Sequence, residues 1–266
     1  MAALLAVAAP AFAPVDGVAL RYTLVDERGD GASVARFTSS RRIVFHRTAT
    51  GYLADLTIVS VDAAGERGVA AMSRRLMSML VGRTIRYQLD AQGAVIAVEN
   101  QAQLMALIVA AIGKTAAGGT DGSTVRTDAA GKFAASLAAM PEATQRGMLA
   151  SFLTPVIDAS GGGIPGERAV VVPLASPLAQ SASLPGSETI ARTARGWMAI
   201  DTIATGAIMP ASAEPRGESG VRIVRHREID PATGLVMLDD RRTETWLSAA
   251  PGRTNTVRSI ATLRVE

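Results

Sequence analysis

Alternation of apolar and polar residues marks the first part of the chain as strands. Apolar side chains alternate with polar ones from Val18 to Leu24, the period-two pattern of a strand with one buried face. Glycine-containing turns divide the sequence that follows into two more strands, at 33–47 and 52–61. The strands within 18–61 therefore predict a meander of adjacent antiparallel partners.

The middle of the chain changes to helical spacing. Apolar residues recur every three or four positions at 68–81, which predicts a helix, and a hairpin follows at 84–98. Residues 101–157 then contain apolar helices, the last of them beginning at Pro141, a residue suited to a first helical position. Glycine, serine and threonine at 114–127 predict a loop between these helices.

The remaining residues, 168–266, return to the period of strands. We predict one extended strand at 187–205, bent at Gly196, and a three-stranded meander over 221–265. Because elements of one kind are grouped rather than alternating, the fold class is α+β with an antiparallel sheet, and this sheet has to cover the apolar helices.

Residues 1–13 have features of a signal peptide. They form an uncharged run of small apolar residues that ends in Ala11-Phe12-Ala13, the A-x-A pattern that signal peptidases prefer. Pro14 disfavours a cut after Ala13, so cleavage after Ala11 is an alternative, and the usual basic residues are missing. An ordinary apolar first strand or helix is the competing interpretation.

The amino-acid composition limits the chemistry available to the protein and its cellular location. The chain has no cysteine, which removes disulfides, thiolate chemistry, cysteine metal sites and the lipidation motif of bacterial lipoproteins. Outside the leader, the apolar run at 104–112 is far shorter than the roughly 20 residues of a membrane span. We therefore expect residues 14–266 to form a single periplasmic or secreted α+β domain.

The basic residues do not indicate nucleic-acid binding. The net charge is +3, but the arginine pairs at 41–42, 74–75 and 241–242 are scattered among acidic residues. Nucleic-acid-binding proteins usually show a basic cluster or a known module. We expect no nucleic-acid partner.

Two segments carry a resemblance to a known group of proteins. The hairpin from Tyr87 to Val95 leads into Glu99-Asn100 and a helix, and the late turn from Ile229 to Leu235 carries Asp-Pro-Ala-Thr-Gly. In this outline the chain resembles a group of uncharacterised secreted bacterial proteins thought to share the half-barrel of periplasmic lipoprotein carriers. The resemblance implies a large curved antiparallel sheet, half-barrel-like, with the central helical insertion packed on its concave face and an apolar pocket between them.

No catalytic or cofactor motif accompanies this fold. The two histidines, His46 and His226, lie in predicted strands between arginines, which would lower their pKa. Asp240 and Glu244 share one strand face at roughly 7 Å spacing, compatible with a glycosidase acid pair, but Arg242 between them favours an ionic ladder on the solvent face. We predict no catalytic residue, no cofactor and no metal.

The apolar helices supply the candidate site. Five of their side chains could line a cavity for an acyl chain or could equally fill it: Leu104, Leu107, Ile108, Met148 and Phe152. We predict a non-enzymatic exported protein that binds a lipid or other apolar small molecule between sheet and helices. The alternatives are an envelope structural or assembly protein that contacts a protein partner and, third, a hydrolase.

Overall fold

The computed structural model describes residues 12–29, 34–65, 77–117, 124–158, 163–174, 182–208, 219–247 and 254–266. In these ranges eleven strands form one antiparallel sheet. The strands are β1 (Ala19–Gly29), β2 (Val34–Arg47), β3 (Gly51–Ala64), β4 (Thr84–Asp90), β5 (Val95–Val98), β6 (Gly166–Leu174), β7 (Ala182–Arg192), β8 (Met198–Ile208), β9 (Ser219–Asp230), β10 (Leu235–Leu247) and β11 (Thr254–Val265).

The sheet is open and follows the order β5-β4-β3-β2-β1-β11-β10-β9-β8-β7-β6. Neighbours in sequence are neighbours in space except at the centre, where the first strand pairs with the last, Tyr22 opposite Leu263. Register shifts after Ser40 in β2 and after Val236 in β10 bend the strands. The α+β half-barrel predicted above is therefore confirmed.

The helical insertion follows β5. It comprises α1 (Gln101–Ala117), α2 (Thr124–Ala138), α3 (Glu142–Ala150) and a short 3₁₀ turn, Thr154–Val156. Pro141 lies immediately before α3 at its N-cap, where its missing N–H costs no hydrogen bond. Ile157 then pairs with Leu235 of β10, which returns the chain to the sheet.

The main hydrophobic core lies between the insertion and the concave face of β1–β5. Register places Leu20, Ile43, Leu56 and Ile85 opposite one another across β1, β2, β3 and β4, all nearly inaccessible to solvent. From the insertion, Leu149 and other apolar side chains complete the same cluster. Burial of this continuous apolar surface is the principal stabilisation of this half of the molecule.

Phe12 belongs to this core although it lies at the edge of the predicted leader. Its ring packs edge-on against Phe45 and Tyr52, with centroid distances of 5.6 and 5.0 Å. The Tyr52 hydroxyl also donates a hydrogen bond to the Phe12 carbonyl oxygen at 3.2 Å. A cut after Ala13 would remove this ring from the core, whereas a cut after Ala11 would leave it in place.

Two predictions of secondary structure are wrong. Residues 187–205 are two strands, β7 and β8, joined by a tight turn in which the Thr193 N–H donates to the Trp197 carbonyl. The segment 114–127 is helical at both ends, because α1 continues to Ala117 and α2 begins at Thr124. The predicted helix at 68–81 lies largely outside the described residues.

Candidate functional site

The five predicted ligand-binding residues lie where the insertion meets the concave face. Leu104 and Ile108 of α1 are buried in the main core, with 4% and 8% of their surface exposed. Leu107, Met148 and Phe152 pack against that core and remain partly exposed. The structure thus brings all five to one apolar cluster, and their role as ligand contacts stays a prediction.

Two buried side chains of the sheet hold the C-terminal end of the insertion. The Tyr87 hydroxyl donates to the Leu149 carbonyl at 2.8 Å, and the Arg41 Nη1 donates to the Phe152 carbonyl at 2.7 Å. Carbonyl groups at a helix end lack intrahelical partners and favour positive charge. The Leu149 carbonyl also accepts from the Phe152 N–H at 3.2 Å, so Tyr87 is its second donor, whereas Arg41 binds a carbonyl just beyond the end of α3.

Arg41 is a buried cation between aromatic rings. Its guanidinium carbon lies 5.1 Å from the Tyr22 ring centroid and 5.3 Å from that of Phe152. Only 5% of the residue is exposed, and burial lowers the pKa of Arg41 from its usual value. The Arg41 Nε and the hydroxyl of nearby Ser39 have no hydrogen-bond partner within the described part of the chain.

The other half of the concave face carries a band of charged residues across five strands. We call it the polar belt. Successive register pairs place Arg168 opposite Glu188, Glu188 opposite Thr202, Thr202 opposite Arg225, and Arg225 opposite Arg241. Arg227 and Asp239 face each other one step along, and Asp158 reaches the belt from the end of the insertion.

Ion pairs connect most of the belt. Arg225 and Asp239 form a bidentate pair with N···O distances of 2.8 and 2.7 Å, and Arg168 Nε donates to Glu188 at 2.8 Å. The hydrogen bond with Asp239 raises the pKa of Arg225, although burial opposes it. Arg227 lies 3.5 Å from Glu188 and 3.7 Å from Asp158 in looser contacts.

Apolar clusters flank the polar belt on both sides. Towards one end of the strands lie Ile190, Met198, Ile200, Ile229 and Val236. Towards the other end lie Leu174, Leu184, Ala204, Val221 and Ile223. The concave face of β6–β10 is therefore apolar, charged and apolar again along the strand direction.

The sequence analysis above does not predict the polar belt, although the order of residues in β9 indicates it. Val221, Ile223, Arg225, Arg227 and Ile229 follow one another at period two, so both arginines share the face of three apolar residues. Charged strand residues face solvent only when they alternate with the apolar residues of the strand, and in β9 they do not.

The opposite, convex face carries the ladder predicted around Asp240, but with other partners. Arg258 of β11 binds Asp240 with N···O distances of 3.1 and 2.7 Å, and Arg242 pairs with Glu244 at 2.7 Å. Arg225, on the neighbouring strand, points to the concave side and pairs with Asp239 instead. Asp240 and Glu244, the two carboxylates compatible with a glycosidase acid pair, are therefore each paired with an arginine.

A groove on this convex face has a volume of about 490 Å³ and is lined by Val34, Val224 and His226 among other residues. The expected lowering of the His226 pKa is wrong. Burial does lower it, but the hydrogen bond with Asp201 at 2.7 Å and the charge of Glu228 outweigh burial, so the pKa of His226 is raised. Its flanking arginines exert little effect because they point to the other face.

We also searched the described residues for a metal site, a serine–histidine pair and a membrane-spanning helix. No group of three or more histidine, aspartate or glutamate side chains there is arranged to hold a metal ion. His226 contacts carboxylates, and no serine hydroxyl is hydrogen-bonded to either histidine within the same ranges. Among the helices that the structure describes, none is both long and apolar enough to cross a bilayer.

Comparison with solved structures gives a likeness to lipovitellin. No family model and no curated protein matches the sequence. A solved structure concerned with lipid–protein interactions in lipovitellin matches with a TM-score of 0.46 and 10% sequence identity. The match covers 96% of this chain and 25% of the lipovitellin chain, so this chain spans about a quarter of that protein's length. Because such a TM-score does not define a common fold, the functional inference depends on the residues described above.

Proposed function

We propose that this protein binds a lipid-like or other apolar ligand between the concave face of its sheet and the helical insertion, without chemical conversion. One observation carries the proposal. Large apolar side chains of the insertion, Leu107, Met148 and Phe152, pack at the seam with the sheet yet remain partly exposed. A ligand can contact these apolar side chains, where the insertion meets the sheet, without separating the strands.

The attachment of the insertion suits ligand entry. Through α1, α2 and α3 it contacts the sheet by side-chain packing and by the hydrogen bonds of Arg41 and Tyr87. In the described ranges, the backbone contacts of the insertion with the sheet lie after α3, at Ile157 and Asp158, and not on the helices themselves. Displacement of the helices would therefore leave the backbone hydrogen bonds of the sheet intact, and the apolar surface exposed in this way would be covered by the ligand.

The binding of a neutral probe tests this proposal. A fluorescent alkyl probe such as N-phenyl-1-naphthylamine should bind the full chain saturably. Leu107→Gln should weaken binding roughly tenfold, because about 1.5 kcal/mol of apolar contact is lost. Val171→Gln is the matched control, since Val171 is 70% exposed on edge strand β6, away from the insertion. Absence of saturable binding, or equal losses in the two variants, would refute the proposal.

We also propose that the chain is exported, on the strength of the apolar run at 1–13. Because the Phe12 ring packs in the core, we expect the cut after Ala11 rather than after Ala13. N-terminal sequencing of protein recovered from an exporting cell should begin at Phe12. A sequence beginning at Pro14 would contradict the assignment of Phe12 to the mature core.

An assembly role is the second candidate, favoured by the free edge of β6. Among the described strands β6 pairs only with β7, and Val171 and the preceding Ile164 are 70% and 76% exposed. Exposed strand edges can pair with a strand of another protein. Co-purification of a partner that protects β6 from hydrogen exchange, combined with failure of the probe to bind, would favour this role.

A further inference from the structure

Two arginines face each other in the polar belt. Arg225 of β9 and Arg241 of β10 are direct register partners on the concave face. Like charges placed directly opposite across two strands are destabilising. The carboxylate of Asp239 binds Arg225 through both oxygens, so it neutralises one of the two guanidinium groups. The charge of the other has no such partner.

Arg241 is the unmatched member of the pair. In the parts of the chain that the structure describes, it forms no ion pair or hydrogen bond. The side chain is nevertheless half-buried, and burial together with the charge of Arg225 lowers the pKa of Arg241. Because the guanidinium is only partly buried, its donors remain available to water or to an anionic ligand.

The surroundings extend this excess of donors. The Nε of Arg227 is buried and lacks a hydrogen-bond partner among described residues. Burial raises the pKa of Tyr22 to about 12, and the charges of Arg41, Asp239 and Arg225 also act on its hydroxyl, so this side chain connects the surroundings of Arg41 with the belt. Among the described residues of the belt, four arginines face the three carboxylates of Asp158, Glu188 and Asp239.

The geometry points to a head-group subsite. We propose that Arg241, beside Arg225, binds the anionic head of an amphipathic ligand, a carboxylate or phosphate group, whose hydrocarbon part lies on the apolar concave face. The planar guanidinium fork matches both anions in bidentate fashion. The apolar clusters that adjoin the belt are buried, so the hydrocarbon chain would extend past Tyr22 towards the partly exposed Phe152; both of these rings contact Arg41. This inference rests on the proposed binding function and adds the ligand class.

Matched amphiphiles test the subsite on the full chain. Oleate and oleoyl lysophosphatidate supply the anionic heads, monoolein supplies the same chain with a neutral head, and inorganic phosphate supplies the anion without a chain. Binding below the critical micelle concentration, measured by calorimetry at pH 8, should be at least tenfold tighter for the anionic lipids than for monoolein. Inorganic phosphate alone should not compete at millimolar concentration.

Substitutions then assign the preference to the belt. Arg241→Gln should lower oleate affinity at least tenfold and affect monoolein far less. Arg242→Gln is the matched control, since the adjacent Arg242 points to the convex face and pairs with Glu244. Asp239→Asn should act in the opposite sense and raise oleate affinity, because it frees the guanidinium of Arg225.

The outcomes separate the two proposals. If monoolein binds but anionic lipids bind no tighter, or if R241Q and R242Q lose affinity equally, the head-group subsite is refuted and the binding function stands. If neither lipid binds, the binding function itself fails. Strong competition by inorganic phosphate would identify a free-anion site and would overturn the assignment to a lipid head group.

Discussion

Two neighbouring aspartates of β10 allow the effect of burial on the stability contribution of an ion pair to be measured. Asp239 pairs with Arg225 on the concave face, and Asp240 pairs with Arg258 on the convex face. Both pairs are bidentate, with N···O distances of 2.7–3.1 Å. The side chains of the first pair are 14% and 35% exposed, those of the second 30% and 47%. Solvent exposure is therefore the main difference between them.

Asp239→Asn should be the more damaging substitution. The asparagine keeps one acceptor, but its amide nitrogen faces a guanidinium nitrogen of Arg225, so a donor opposes a donor. Breaking a fully buried ion pair costs roughly 3–5 kcal/mol, and the partial exposure of Arg225 reduces the expected loss to about 2–3 kcal/mol. Asp240→Asn removes an exposed pair and should cost about 0–1 kcal/mol.

Urea denaturation followed by tryptophan fluorescence measures both losses under one set of conditions. In 1 M salt, where the Debye length is roughly 3 Å, the small effect of D240N should vanish and most of the effect of D239N should persist. Equal losses for the two variants, or a D239N loss that salt abolishes, would show that the belt is as solvated as the convex face.

Two further predictions concern packing and pH. Gly220→Ala should destabilise the protein by about 1–3 kcal/mol and shift tryptophan emission, because a Cβ there would lie 2.1 Å from the ring of Trp246. Gly147→Ala in α3 meets no atom within 4 Å and should instead stabilise by about 0.5–1 kcal/mol; equal signs in urea denaturation would contradict this comparison. Because the pKa of His226 is raised in the folded state, its charged form adds stability below pH 6.5 that is lost as pH rises through the folded pKa. Asp201→Asn should therefore destabilise at pH 5.5 and have little effect at pH 8.5, and a pH-independent difference between variant and parent would count against this reading.

Single-face periodicity accounts for the part of the fold that the sequence predicts well. Val18 to Leu24 have one apolar face, so alternation identifies this strand directly. Local pattern does not reveal the β7–β8 turn, because Ile190 and Met198 on its two sides are an even number of residues apart, as on one face of a continuous strand. The turn depends on Gly196, whose φ of +80° only glycine adopts readily.

The polar belt shows why the site was harder to predict than the fold. Local pattern identifies which residues share a face of one strand, but it does not reveal which strands are neighbours. Asp239 and Arg225 meet only because β9 and β10 pair in a particular register. The same register brings Arg241 opposite Arg225, a relation that no single segment of sequence contains.

Photo-crosslinking would test the central claim most directly. The full chain would be incubated with an oleate analogue carrying a diazirine in the middle of its chain, irradiated and digested for mass spectrometry. We expect labelled peptides from α1 and α3, around Leu107 and Met148, and competition by unlabelled oleate. Labelling confined to the convex groove around Val34 and Val224, or labelling that unlabelled oleate does not reduce, would contradict binding between the concave face and the helices.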